Sequence, residues 1–137
     1  MYFTIYGVPR QQQRHRLAEW GGFYDPSAKD KKAFMSKLVD YKPKEPIKTP
    51  LMVRLVFYMP RPKKHFRTGK YSNILKNTAP MLHSVKPDAD NLAKLVLDVL
   101  ENAGFYVNDS QICQLQIEKL YIDIDEEPRT EIHIEQV

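Results

Sequence analysis

Between Pro87 and Gly104 the chain has little choice of structure. Pro87 cannot continue a helix backwards, and Asp88 or Asp90 can cap free backbone N–H groups, so a helix is expected to start between Asp88 and Asn91. Leu92, Leu95, Val96, Val99, Leu100 and Ala103 recur at three- and four-residue steps and give one apolar stripe for the core. Lys94, Asp98 and Glu101 fall on the other side. Gly104 follows the last periodic position, where a left-handed residue is cheapest, so the helix should stop near Ala103.

Both ends of this helix are polar in a way that bears on chemistry. Asp88 and Asp90 stand at its start, and Lys94 lies about one turn inside. After the short apolar run Gly104-Phe105-Tyr106-Val107 come Asn108-Asp109-Ser110, side chains that bond their own backbone and mark a turn. Such a turn can fold back and bring Asp109 towards Asp88 and Asp90. Three carboxylates in one small space repel, an arrangement tolerated mainly when a cation supplies the opposite charge. Oxygen-only ligands select hard cations, Mg²⁺ or Mn²⁺. Taken singly, Asp88 or Asp90 is an N-cap, Asp109 a turn residue and Lys94 a solvated helix residue.

Together, P-D-A-D-N-L-A-K (Pro87 to Lys94), the helix, and G-F-Y-V-N-D-S-Q-I (Gly104 to Ile112) resemble the signature of the RusA-like Holliday junction resolvases, the crossover junction endodeoxyribonucleases. The resemblance is close over Lys86 to Ile112 and loose elsewhere. It implies that Asp88, Asp90, Lys94 and Asp109 form the catalytic centre, with Asp88, Asp90 and Asp109 as metal ligands. It also implies a homodimer making two symmetric cuts in a four-way junction, ligatable nicks, and a role in recombination or phage DNA processing in a bacterial cytoplasm. Many relatives carry two acidic residues in the later turn; here the first is Asn108, which still offers a carbonyl oxygen.

Charge is divided along the chain. Residues 1–87 hold 18 Lys and Arg against 5 Asp and Glu, whereas residues 88–137 hold 3 against 12. A basic segment beside an acidic one suits a protein that attracts polyanions with one surface and holds cations with another, although a soluble domain can also distribute its charges this way. Arg10, Arg14 and Arg16, interleaved with Gln11, Gln12 and Gln13, form a basic loop after the first strand; it is read as a DNA-backbone contact, with a solvated loop as the rival. RusA-like proteins resemble the chain in this segment too. Residues 60–86 have high positive charge and little apolar periodicity, so they are expected to be a loop, flexible until DNA binds. Lys63, Lys64, Arg67, Lys70 and Lys86 are its candidate phosphate contacts, Phe66 or Tyr71 candidate base-stacking groups, and a plain surface insertion is the alternative.

The remaining elements read in order. Tyr2 to Tyr6 alternates as a strand, Trp20-Gly21-Gly22-Phe23-Tyr24 as a hairpin turn with a short strand, and Asp25-Pro26 as the start of a helix to about Asp40. In that helix Phe34, Leu38 and Met35 face inward, and Lys29, Lys31, Lys32 and Lys37 face out. Tyr41 to Pro50 is a linker between elements, and Leu51 to Met59 a strand of the main sheet. Gln114 to Tyr121 and Thr130 to Glu135 read as a closing antiparallel hairpin, with Lys119 contacting phosphate or forming a cross-strand ion pair. Cys113 reads as a small buried residue, and a lone cysteine fits a reducing compartment. His15, His65, His83 and His133 lack ligand intervals and are assigned no metal.

These readings converge on one α+β domain over 1–137, a mixed sheet with two main helices packed on it, acting as a metal-dependent DNA endonuclease. No signal peptide, membrane span or nucleotide-binding loop is expected. A non-catalytic DNA-binding module and a nuclease acting on flaps or single strands stand as alternatives.

Overall fold

The computed structural model describes residues 1–137. Six strands and two α-helices follow one another: β1 (Tyr2–Tyr6), β2 (Arg16–Leu17), β3 (Phe23–Tyr24), α1 (Ala28–Leu38), β4 (Leu51–Met59), α2 (Ala89–Asn102), β5 (Ile112–Tyr121) and β6 (Arg129–Gln136). The main sheet is mixed, in the order β1-β6-β4-β5, and β2 pairs with β3 as a separate small hairpin. The α+β class expected from the chain is the one observed.

β4 is the spine of the sheet. Leu51, Val53, Leu55, Phe57 and Met59 on one face are buried, and Val56 on the other is buried as well. A strand that apolar belongs between two others. It lies antiparallel to β6 and parallel to β5, so the connection from β4 to β5 through α2 is a crossover. The expected β5–β6 hairpin is therefore absent. Loop 122–128 instead carries the chain over the end of β4, where the Ile122 N–H donates to the Met59 carbonyl at 3.0 Å. Alternation identified both strands, but it is blind to which neighbour a strand pairs with, and the burial demand of β4 decided that.

The apolar stripe of α2 meets this sheet as expected. Leu92, Leu95, Val96, Val99 and Leu100 are buried with Phe3, Ile5, Phe105, Tyr106, Ile132 and Ile134 in one core. The helix ends where Gly104 takes φ +89°, with the Phe105 N–H donating to the Leu100 carbonyl and the Gly104 N–H to that of Glu101, both at 3.0 Å. α1 contributes Leu38 to the core with Phe34 and Met35 packed beside it, and a 3-10 turn, Val39–Tyr41, finishes it.

Residues 60–86 contain two short 3-10 turns, Lys63–His65 and Gly69–Tyr71, and no longer element. Both ends of the segment are fastened to the main body. Arg61 donates to the Ile122 carbonyl at 2.6 Å, the Tyr121 N–H to that of Met81 at 2.9 Å, and the His83 N–H to that of Lys119 at 3.1 Å. His65 and His83 pack against the Tyr121 ring at 4.6 and 4.8 Å. Burial, then the neighbouring cations, hold both imidazoles below their ordinary range. Cys113, expected to be buried, is exposed, because the first half of β5 is an uncovered edge.

Candidate active site

The start of α2 explains why its carboxylates are free to act. Asp88 occupies the N-cap position with extended backbone (φ −72°, ψ 146°), yet its side chain makes no capping bond. Asp90 follows in the first turn and Lys94 one turn later, and all three are exposed. Lys119 lies beneath this start: its ammonium donates to the Val85 carbonyl at 2.8 Å and to that of Pro87 at 2.7 Å, pinning the two residues that lead into Asp88. Two of its three donors are thus spent on backbone, and the cross-strand ion pair on β5 belongs to Glu118 with Arg54, at 2.8 Å.

Beyond the far end of the helix, Asp109 opens a 3-10 turn, Asp109–Gln111. Asn108 caps that turn: its side chain accepts from the Ser110 N–H at 2.8 Å, and Gln111 accepts from the Asn108 N–H at 2.9 Å. Gln111 also donates to the Ile47 and Thr49 carbonyls at 2.8 and 3.0 Å. The Asn108 side-chain oxygen is therefore engaged within the turn. Asp109 is held from below by Tyr106, whose buried hydroxyl lies 2.7 Å from Asp109 Oδ1 and 2.6 Å from the Leu97 carbonyl. Burial, then the hydrogen bond and charge of Asp109, push the Tyr106 hydroxyl far above its ordinary range, so it remains a proton donor. Glu101 stands beside Asp109. Burial, then the repulsion and hydrogen bonding of Asp109, raise its carboxyl.

Asp88, Asp90, Lys94 and Asp109 line one cleft of about 860 Å³, whose thirteen lining residues include no hydrophobic one. Residues Gln11 to Arg16 form a rim of the same cleft, which brings Arg14 and Arg16 into it with the acids. The rim is clamped to the starts of both helices: the Gln12 N–H donates to the carbonyl of Asn91 in α2 at 2.9 Å, and the Gln13 N–H to Oγ of Ser27, the N-cap residue of α1, at 2.7 Å. Arg10 and Lys86 share a neighbouring depression with His83, while Lys63, Lys64 and Arg67 line a separate one. Lys70 lies over the Tyr71 ring at 5.1 Å. Lys31, expected to face out, turns into the cleft and bridges Asp98 at 2.6 Å and Asp25 at 2.9 Å. Despite burial, hydrogen bonds from Lys31, the Ser27 N–H and Gln12 hold the Asp25 carboxyl below the usual carboxylate range.

The donor set suits a hard divalent ion: three carboxylates open to solvent, one of them an uncapped N-cap residue, in an apolar-free cleft. As the side chains stand, no three Asp, Glu, His or Cys groups come together closely enough to hold a metal ion. The tight acidic cluster expected from the sequence is thus not formed: Asp88, Asp90 and Asp109 line one cleft without converging on a single point. Mg²⁺ requires no closed shell, since it keeps several waters and takes one or two carboxylates plus substrate phosphate. Tyr106, Asp98, Glu101 and Lys31 are residues that sequence reasoning did not assign to the site. Asp98 and Glu101 carried a signal, lying on the same helix face as Lys94. Tyr106 carried none, being one aromatic in an apolar run.

Known proteins resemble the chain over nearly its full length. A family model described as Endodeoxyribonuclease RusA matches residues 7–135. A crossover junction endodeoxyribonuclease, rusA of Lactococcus phage r1t, is 29% identical over 141 residues, covering 98% of this chain and 95% of that protein.

Proposed function

Given that the chain belongs to the RusA endodeoxyribonuclease family, we propose that it resolves four-way DNA junctions by hydrolysing one phosphodiester in each of two symmetry-related strands. The gathering of Asp88, Asp90, Lys94 and Asp109 in one polar cleft with an arginine-bearing rim carries this reading. The phage relative, described as a crossover junction enzyme, supports the same substrate.

Water attacks phosphorus in line with the bond to the 3′ oxygen, giving up a proton to solvent; the 3′ oxygen departs and takes a proton to become a hydroxyl, while the phosphate stays on the 5′ side, so the nick can be religated. Arg14 and Arg16 hold the backbone by forked contacts to phosphate oxygens, which orients the strand over the acids. Lys94 sits where it neutralises charge building on the phosphate. Asp88, Asp90 and Asp109 would hold Mg²⁺, or Mn²⁺ in its place, which supplies water activation and relief of charge on the leaving oxygen. Tyr106 keeps the Asp109 carboxylate turned into the cleft. Two cuts call for two active sites, and a C2 homodimer matches the symmetry of the junction. No helix is long and apolar enough to cross a membrane, and with a phage relative the bacterial cytoplasm is the proposed setting.

Cleavage of a four-way junction, a flap and a linear duplex of equal length, each with Mg²⁺ and with chelator, tests the reading. Paired nicks in the junction alone, lost with chelator, are expected. Preference for the flap would replace the substrate, and binding without cutting would reduce the protein to a DNA-binding module.

A further inference from the structure

The β2–β3 hairpin has no part in the chemistry above, yet it carries the chain's only tryptophan. Leu17, Trp20 and Phe23 are 65%, 76% and 72% exposed. One such side chain in water is ordinary, whereas three on a single short hairpin form a patch. The tip is well ordered by its own backbone: the Ala18 N–H donates to the Gly22 carbonyl at 2.7 Å and the Gly21 N–H to that of Ala18 at 2.9 Å. The Trp20 indole lies across Gly22, in space that a Cβ there would need, so glycine lets the ring settle against backbone.

The hairpin and the cleft share a residue. Arg16, the first residue of the hairpin, lines the cleft, and Trp20 is four residues on, at most about 14 Å of chain away. That is about four base steps of a duplex at about 3.4 Å each. Gln12 also bonds Asp25 Oδ1 at 3.0 Å, tying the rim to the segment that follows the hairpin.

We propose that this hairpin is a base-stacking wedge: Trp20 receives the face of a nucleobase left unstacked at the branch point, while Arg14 and Arg16 hold neighbouring phosphates. The inference rests on the DNA-cleaving reading of the cleft. Charge favours a nucleic acid as the occupant, since residues 10–24 contain three arginines and a single acid, Glu19. Size favours a base over a second copy of the chain. Three such side chains offer about 500 Å² or less, so two copies facing each other would bury at most about 1,000 Å² in all, short of the roughly 1,200 Å² total at which stable protein interfaces begin. Bases within a duplex already stack on one another, so the indole gains only where stacking is broken. The wedge therefore recognises branched over linear DNA whatever the sequence.

A single tryptophan makes the test direct. In chelator, so that nothing is cut, the protein is titrated with a four-way junction and with a linear duplex while tryptophan emission is followed. Quenching by the junction and not by the duplex is expected. Trp20→Ala should weaken junction binding on the order of 10- to 100-fold and narrow its preference over duplex, Trp20→Phe should retain most of it, and both should melt as the wild type does. Unchanged emission with junction bound, or equal quenching by duplex, overturns the wedge even if the junction is cut normally. Emission that shifts with protein concentration in the absence of DNA also overturns it and assigns the patch to self-association. Failure to bind any DNA overturns both the wedge and the nuclease reading.

Discussion

Replacing Tyr106 by Phe removes one oxygen from the structure and tests how the acidic turn is held. The hydroxyl is buried with its residue at 1% exposure and sits 2.6 Å from the Leu97 carbonyl and 2.7 Å from Asp109 Oδ1. A hydrogen bond to a charged group is worth about 1.5–3 kcal/mol. Asp109 is exposed and takes water in exchange, which puts the expected loss at the low end, about 1.5 kcal/mol. At about 2.1 cal/mol/K for each of 137 residues, that loss lowers Tm by about 5 °C. Function should suffer in a different measure. Asp109 freed from its support is expected to raise the divalent concentration needed for half-maximal junction cleavage by about 10- to 100-fold, as removal of a ligand's supporting partner does. The pH dependence follows from the raised Tyr106 pKa. Below about pH 10 both folded and unfolded chains keep this proton; above it only the unfolded chain releases it, so wild-type stability falls and the Phe variant falls less steeply. Urea melts from pH 8 to 11 and a Mg²⁺ titration of cleavage measure all three effects. A variant that melts as the wild type does and needs no more metal would refute the role given to Tyr106.

Asp90→Asn should keep the fold and junction binding and abolish cleavage, because the residue is exposed and makes no internal bond; circular dichroism, gel shift and nicking assays together check this. Leu100→Ala, at 0% exposure under the sheet, should cost about 2–5 kcal/mol in urea unfolding. Asp25→Asn should flatten the acid limb. The Asp25 carboxyl is held below its ordinary value, so its stabilisation is full above the unfolded pKa near 4 and is lost as pH falls through the folded value. Melts between pH 2 and 6 should show wild-type stability declining more steeply than the variant's.

α2 was legible because two independent signals agree there. Its apolar residues fall on one helical stripe, and Pro87 and Gly104 punctuate its ends for steric reasons that local sequence alone decides. The four residues carried over by family resemblance all reached one cleft, since a rigid helix and a turn fix their placement. Pairing of β5 was not legible, since a period of two identifies a strand's faces and leaves its neighbours open. Lys31 was misjudged for a similar reason. Helical position shows which way a side chain leaves its own axis, and the partners that draw it in, Asp25 and Asp98, come from a preceding turn and another helix. Asn108 illustrates how a polar residue in a turn is claimed first by backbone, its oxygen satisfied two residues on by Ser110.

The fastening of residues 60–86 at both ends isolates what lies between. Arg61 anchors the outgoing limb to Ile122 and Pro80, and Lys119 clasps the returning limb at Val85 and Pro87. Between these two buckles His65 is itself buried against the Tyr121 ring, and the exposed crest, Arg67 to Ile74, is closed on itself by the Arg67 N–H donating to the Ile74 carbonyl at 2.8 Å. Changes to the length of that crest are therefore expected to be absorbed between the two fastenings, leaving the backbone around Asp88 undisturbed.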